Sequence, residues 1–200
     1  MALETLDVVN DCLATMGESP LNSLEDDHVY KAAAQNFLND SNKTLQQRGW
    51  WFNEEYVTLT PDATSNYIYV PQDALKVQTL DIYAPPAAQR GKRLYHSGKN
   101  TYEWDGPVDV KLTRLLTFED LPYPAADAVR YATVLRFQRE YDADSFRYQQ
   151  IGVDYQRAHA ELVAEDVRNK RPNLLNNPSM AAKMAWLSPV RRINPFIPIR

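Results

Sequence analysis

Two adjacent carboxylates, Glu54-Glu55, follow a tryptophan pair, Trp50-Trp51. Two acids beside a stacking platform are the equipment of glycoside hydrolysis. Neighbouring residues on a strand point to opposite faces, however, so an extended segment cannot bring these two carboxyls to one bond. The expectation is instead an aromatic junction, Trp50, Trp51 and Phe52, that packs helices against a sheet. His28, His96 and His159 fall in three separate stretches without metal-ligand spacing, so structural or solvated imidazoles are expected and no metal site. Ser97 beside His96 is not a triad, and no nucleophile elbow occurs. Cys12 sits among helix-forming residues and reads as a small packed side chain. Gly91 and Gly98 do not build a phosphate loop, because no glycine-rich turn leads from a strand into a helix. No catalytic residue and no cofactor is assigned.

Composition bounds the scaffold that holds these residues. The chain has 200 residues, 44% hydrophobic and 24% charged, the balance of a protein with a core of its own. A single cysteine excludes a disulfide framework or a cysteine-rich zinc site. Apolar runs are only a few residues long, so no membrane partner is expected. Met1-Ala2-Leu3-Glu4 lacks the basic region and apolar core of a secretory signal, and the expectation is a cytoplasm-like compartment. The net charge of −4 conceals a split. From Arg168 to Arg200 there are seven basic residues and no acidic one, which leaves residues 1–167 with 15 basic against 26 acidic, a net of −11. A basic tail on an acidic body either meets an acidic partner or packs on its own chain.

Periodicity supplies the elements. Leu6, Val9, Leu13 and Met16 share one helical face, closed by Gly17. A second helix runs through Tyr30, Ala34, Phe37, Ser41 and Leu45 and stops at Arg48-Gly49. From Tyr56 to about Thr117 the period is two, with strands expected at 67–70, 75–83 and 108–113. Leu94-Tyr95-His96 and Thr101–Trp104 flank Ser97-Gly98-Lys99-Asn100 as a hairpin. Helices return after Pro124, with Ala128, Tyr131, Leu135 and Gln138 on one stripe. Asp144 or Ser145 then caps a helix striped by Tyr148, Ile151, Tyr155, Ala158 and Leu162. The fold class is α+β: a small four-helix bundle with an inserted antiparallel β domain and an extended C-terminal arm. The expected boundaries are 1–50 for the first two helices, 51–121 for the insertion, 122–170 for the last two helices and 171–200 for the arm.

The arm carries prolines at 172, 178, 189, 195 and 198, which favour an extended path. It also carries Trp186, Arg191, Arg192, Ile193, Phe196, Ile197 and Ile199. Arginines and aromatics could serve nucleic acid. The apolar content and the acidic body favour a protein-docking arm instead, with arginines selecting an acidic rim.

Certain motifs are more specific. Leu6-x-x-Val9-Asn10-x-x-Leu13-Ala14-x-Met16-Gly17-Glu18-x-Pro20-Leu21 resembles the opening of the tail tubular protein A family, the head-to-tail adaptor or gatekeeper of short-tailed phages. Gln47-Arg48-Gly49-Trp50-x-Phe52-Asn53, then Leu59-x-Pro61, Arg90-Gly91-x-x-Leu94-Tyr95 and Leu121-Pro122 are similar to the same family. The resemblance implies a homo-oligomeric ring of twelve copies in the virion tail, assembled in the host cytoplasm. The ring would stand between the portal protein and a nozzle similar to tail tubular protein B, with tail fibres attached near that junction. Viral DNA would pass through its lumen without specific binding. The arm residues would contact the portal or a neighbouring subunit. The alternative is a carbohydrate-active tail component that uses an Asp/Glu pair of the β region on host surface polysaccharide.

Overall fold

The computed structural model describes residues 3–80, 87–142 and 144–170. The arm at 171–200, with all seven of its candidate contact residues, lies outside them, as does the end of the strand expected at 75–83. Helix α1 (Thr5–Thr15) buries Val8, Val9, Cys12 and Leu13. It closes on Gly17 at φ +73°, where Glu18 N–H donates to the Leu13 carbonyl and Gly17 N–H to that of Ala14. This paired closure needs a left-handed residue, the reason for glycine at that position. Asn10 then clamps the following loop, since its amide donates to the Leu21 carbonyl and its oxygen accepts from Leu21 N–H. Helix α2 (Lys31–Gln46) follows, and the chain turns at Gly49 into the β region.

There β1 (Glu54–Leu59), β2 (Ala74–Thr79) and β5 (Val108–Arg114) form one antiparallel sheet in the order β1-β5-β2. Strands β3 (Ala87–Arg90) and β4 (Arg93–His96) form a separate hairpin. A 3-10 turn at Phe118–Asp120 leads to α3 (Tyr123–Tyr141) and α4 (Ser145–Lys170). The Asp144 carboxylate caps α4 by accepting from Phe146 N–H at 2.8 Å. The class is therefore α+β, with small antiparallel sheets between two pairs of helices.

Two departures from the expected elements have physical causes. Segment 67–70 is not a regular strand: Tyr67 and Tyr69 make single bridges to Glu103 and Arg93, and Pro71 stops the ladder. The β4 strand pairs backward with β3 across Gly91-Lys92, and the expected hairpin partner 101–104 keeps only the His96–Thr101 bridge. In α3 the buried residues include Ala125, Val129, Val134 and Phe137, while Tyr131 and Leu135 are only half-buried. Helix α3 packs against α1, α2 and α4 together, so it is apolar on several sides and has no single stripe.

The apolar interior has separate helical and β parts. Trp50, Leu38, Val129 and Leu162 belong to one helical cluster, and Leu13, Ala34, Val134 and Phe137 to another. Ile68, Leu94, Trp104, Val110 and Leu112 form the cluster beneath the sheets.

Candidate assembly interface

The segment from Gln46 to Glu54 connects the helices to the sheet, and its geometry is built from polar atoms around one indole. Trp50 is 1% exposed and sits in the helical core, where its indole N–H donates to the Leu45 carbonyl at 2.7 Å. Trp51 and Phe52, edge to face at 5.0 Å, pack half-buried on the same cluster. Gln46 is fully buried and reaches across to the strand exit: its amide donates to the Leu116 carbonyl, and its oxygen accepts from Leu116 N–H. Asn53 accepts from Trp50 N–H and donates to the carbonyls of Gln46 and Arg114. These bonds, buried or partly buried, tie together α2, the turn and the chain leaving β5. They fix the turn in one conformation, because an unmade bond there leaves a buried polar group without a partner.

Charges close the same junction. Glu54 lies 3.1 Å from Lys111 and 3.5 Å from Lys170. Lys170 also reaches Asp166 at 3.1 Å and donates to the Gly49 carbonyl, while Asp166 accepts from Trp51 N–H. Gly49, at φ +83°, admits the Glu54 side chain so closely that an added Cβ would lie 2.6 Å from its Oε1. Glu55 turns to the other side, onto Arg114 at 2.6 Å, which also holds Asp73. Each carboxylate thus serves a structural ion pair on its own face of β1. Arg168 and Lys170, which begin the basic tail, pair with this chain's own Glu165, Asp166 and Glu54.

The other candidate chemical groups are occupied locally. His96 accepts from Lys99 N–H and lies 4.7 Å from Trp104, and His28 accepts from Tyr30 N–H. Burial, with the neighbouring Asp11 carboxylate, pushes the Cys12 thiol up to about 12, so it stays protonated and unreactive. Among the described residues no group of three His, Cys, Asp or Glu side chains could hold a metal ion. None of the described helices is long and apolar enough to cross a membrane.

Concave and apolar surfaces remain. A cleft of about 300 Å³ beside the junction is lined by Ser41, Leu45, Arg48, Trp50, Tyr155 and His159. Burial, and then the Arg48 charge, hold His159 below its ordinary pKa. A second cleft of about 530 Å³ runs between α2 and the 3-10 turn, with polar walls such as Asn36, Asn39 and Lys43. On α4, Phe146, Val153 and Val167 are exposed at multiples of seven residues, a stripe that no described element covers. The seven-residue spacing carries that stripe in the sequence, beside the Ala158 and Leu162 positions that the same helix buries. The Gln46–Asn53 network had no such signal, because glutamine and asparagine at a helix end read as solvated.

Comparison with known proteins then bears on function. A sequence model described as tail tubular protein matches residues 6–176. A protein named Tail tubular protein A, from Klebsiella phage KP34, is 28% identical over 170 residues, covering 84% of this chain and 90% of that one.

Proposed function

The chain belongs to the tail tubular protein family and is a structural component of a phage tail; from that premise we propose that it is the ring-forming adaptor between the portal and the tail nozzle. The family match across residues 6–176 is the observation that carries this reading. In it, the helices of 1–50 and 122–170 act as one four-helix bundle, and residues 51–121 form a β domain inserted into it. The Trp50-Trp51-Phe52 junction holds the two at a fixed angle. The contacts α3 makes with α1, α2 and α4 support the first part, and the separate β cluster supports the second.

A ring of about twelve identical copies needs two different lateral surfaces on each subunit, plus axial ones for portal and nozzle. Exposed apolar side chains such as Phe146 and Val153 on α4 suit that demand. The arm, through Trp186, Arg191, Arg192, Ile193, Phe196, Ile197 and Ile199, would dock the portal or a neighbouring subunit, and tail fibres would attach near the nozzle end. The excess of acidic residues would let the DNA backbone slide through the lumen during ejection without adhering.

Deleting residues 186–200 should leave a folded chain with normal helix content that no longer joins filled heads in an assembly reaction imaged by electron microscopy. Full-length protein should appear as a ring on the portal. Attachment without those residues would refute the portal role of the arm, and full-length protein found elsewhere in the tail would refute the adaptor reading.

A further inference from the structure

The outer face of the β3–β4 hairpin has a composition unlike the rest of this acidic molecule. Residues 87–98 carry Arg90, Lys92 and Arg93 and no carboxylate, while the next cation, Lys99, is paired with Asp105. Strand alternation turns Leu94 and His96 into the core and leaves Arg93 and Tyr95 outward. The Arg90 guanidinium lies 3.5 Å from the centre of the Tyr95 ring, and that of Arg93 lies 4.4 Å from Tyr102 and 5.3 Å from Tyr67. The tyrosines support one another edge to face, Tyr95 with Tyr102 at 5.1 Å and Tyr67 with Tyr102 at 6.1 Å. Tyr69, bridged to Arg93 through the backbone, is 55% exposed beside them. Stacking holds these arginines in place before any partner arrives, so little side-chain freedom is left to lose on binding. Tyrosine and arginine are also the residues that concentrate binding energy at protein interfaces.

The complementary surface lies on the same chain at its other end. The loop between α1 and α2 carries Glu18, Glu25, Asp26 and Asp27 and no basic residue from 18 to 27. Val29 is 88% exposed at its end, and Leu24 is exposed within it. The loop is held in shape, because Asp26 accepts from the N–H groups of Asn22 and Ser23, and Lys31 donates to the Leu24 carbonyl. It precedes α2, whereas the sheet follows α2; the helix is 16 residues, or about 24 Å at 1.5 Å per residue. The loop thus leads into one end of α2, and the β region leaves from the other.

We propose that the tyrosine–arginine face of the β3–β4 hairpin docks the acidic 18–29 loop of a second copy of this chain. The proposal rests on the ring reading above and names one of its lateral contacts. A contact between two different surfaces is heterologous: each copy offers one half of it to each neighbour, and the chain of contacts closes into a ring when the rotation allows. Charge complementarity steers the encounter, and Val29 with Leu24 would supply apolar area against the tyrosines.

The test uses two variants of the full chain, a face variant (Arg90→Glu with Arg93→Glu) and a loop variant (Glu25→Gln, Asp27→Asn and Val29→Ser). Sedimentation of the wild type should show multimers, and each variant alone should associate at least about thirtyfold more weakly. An equimolar mixture should give a one-to-one dimer and nothing larger, because the intact loop of one variant meets the intact face of the other. The dimer also shows that both variants fold. Multimers from either variant alone would overturn the docking surface and leave the ring standing, as would a mixture that stays monomeric. A face variant that self-associates normally but fails to join another virion protein would assign the face to that protein and overturn the proposal. A wild type that is monomeric in solution and on the head would overturn the ring reading along with it.

Discussion

Replacing Trp50 by alanine tests the junction most directly. The indole is 1% exposed, packs in the helical core beside Leu45, Val129 and Leu162, and lies edge to face with His159 at 6.1 Å. Truncating a buried tryptophan to alanine costs about 3–5 kcal/mol in lost transfer energy and cavity. The substitution also strips the Leu45 carbonyl of its donor in the last turn of α2, which adds about 1 kcal/mol if water cannot replace it. A total of about 4–6 kcal/mol is a large share of the about 5–15 kcal/mol that holds a domain folded. With a urea dependence of about 2–3 kcal/mol per molar, the midpoint should fall by about 2 M. Urea titration followed by far-ultraviolet circular dichroism reads this without relying on tryptophan emission, which the other three tryptophans would confuse. Trp50→Phe keeps most of the volume and loses the donor, so it should cost about 1–2 kcal/mol. A loss below about 1 kcal/mol for the alanine variant would refute the account, since a residue so buried could not be silent unless the turn repacked.

Two other substitutions probe the same region. Gly49→Ala should cost about 2 kcal/mol by urea titration, from the left-handed φ and from a Cβ forced against the Glu54 carboxylate. In a Glu54→Ala background the penalty should drop to about the backbone part alone, and an unchanged penalty would show that the contact carries nothing. For His159 the folded pKa is lowered by burial and Arg48, so the unfolded chain takes a proton that the folded chain refuses. Wild-type stability should fall as pH drops through 6.5, and His159→Gln should flatten that slope in urea midpoints measured at successive pH values; equal slopes would refute the assignment.

The sequence carried the order of the elements and most of their faces because local rules decided them. Gly17 and Gly49 mark real left-handed stops, and Leu45, Ala158 and Leu162 face inward as their spacing requires, whereas Tyr148, expected on the same α4 stripe, is exposed. Helix α3 was less legible. Its neighbours surround it, so Phe137 and Val134 are buried while the expected Tyr131 and Leu135 are only half-covered. The hairpin register was ambiguous for a related reason, since Gly91-Lys92 and Ser97–Asn100 are both acceptable turns. What selects the first is Leu94, which must face Ile68 and Trp104 in the β core and whose N–H donates to the Ile68 carbonyl. The binding surfaces were the least legible, because arginine and tyrosine at alternate positions describe any solvated strand until cross-strand neighbours stack them together.

The distribution of charge has the same character. Counted along the chain, the imbalance lies between body and tail; Arg168 and Lys170 pair with Glu165, Asp166 and Glu54 within the subunit, and the other tail cations lie outside the described residues. Like charges also gather at two places within the described residues, Arg90, Lys92 and Arg93 on the hairpin and Glu25, Asp26 and Asp27 in the α1–α2 loop. A strut with unlike ends can join copies in a closed ring only if the angle between those ends is held constant, since a small error per subunit accumulates around the circle. Along this chain the angle passes through the turn from Gln46 to Glu54. In the proposed ring, burying Gln46 and Asn53 there would hold that angle: apolar packing alone tolerates repacking, whereas a set of satisfied hydrogen bonds in the interior favours a single geometry.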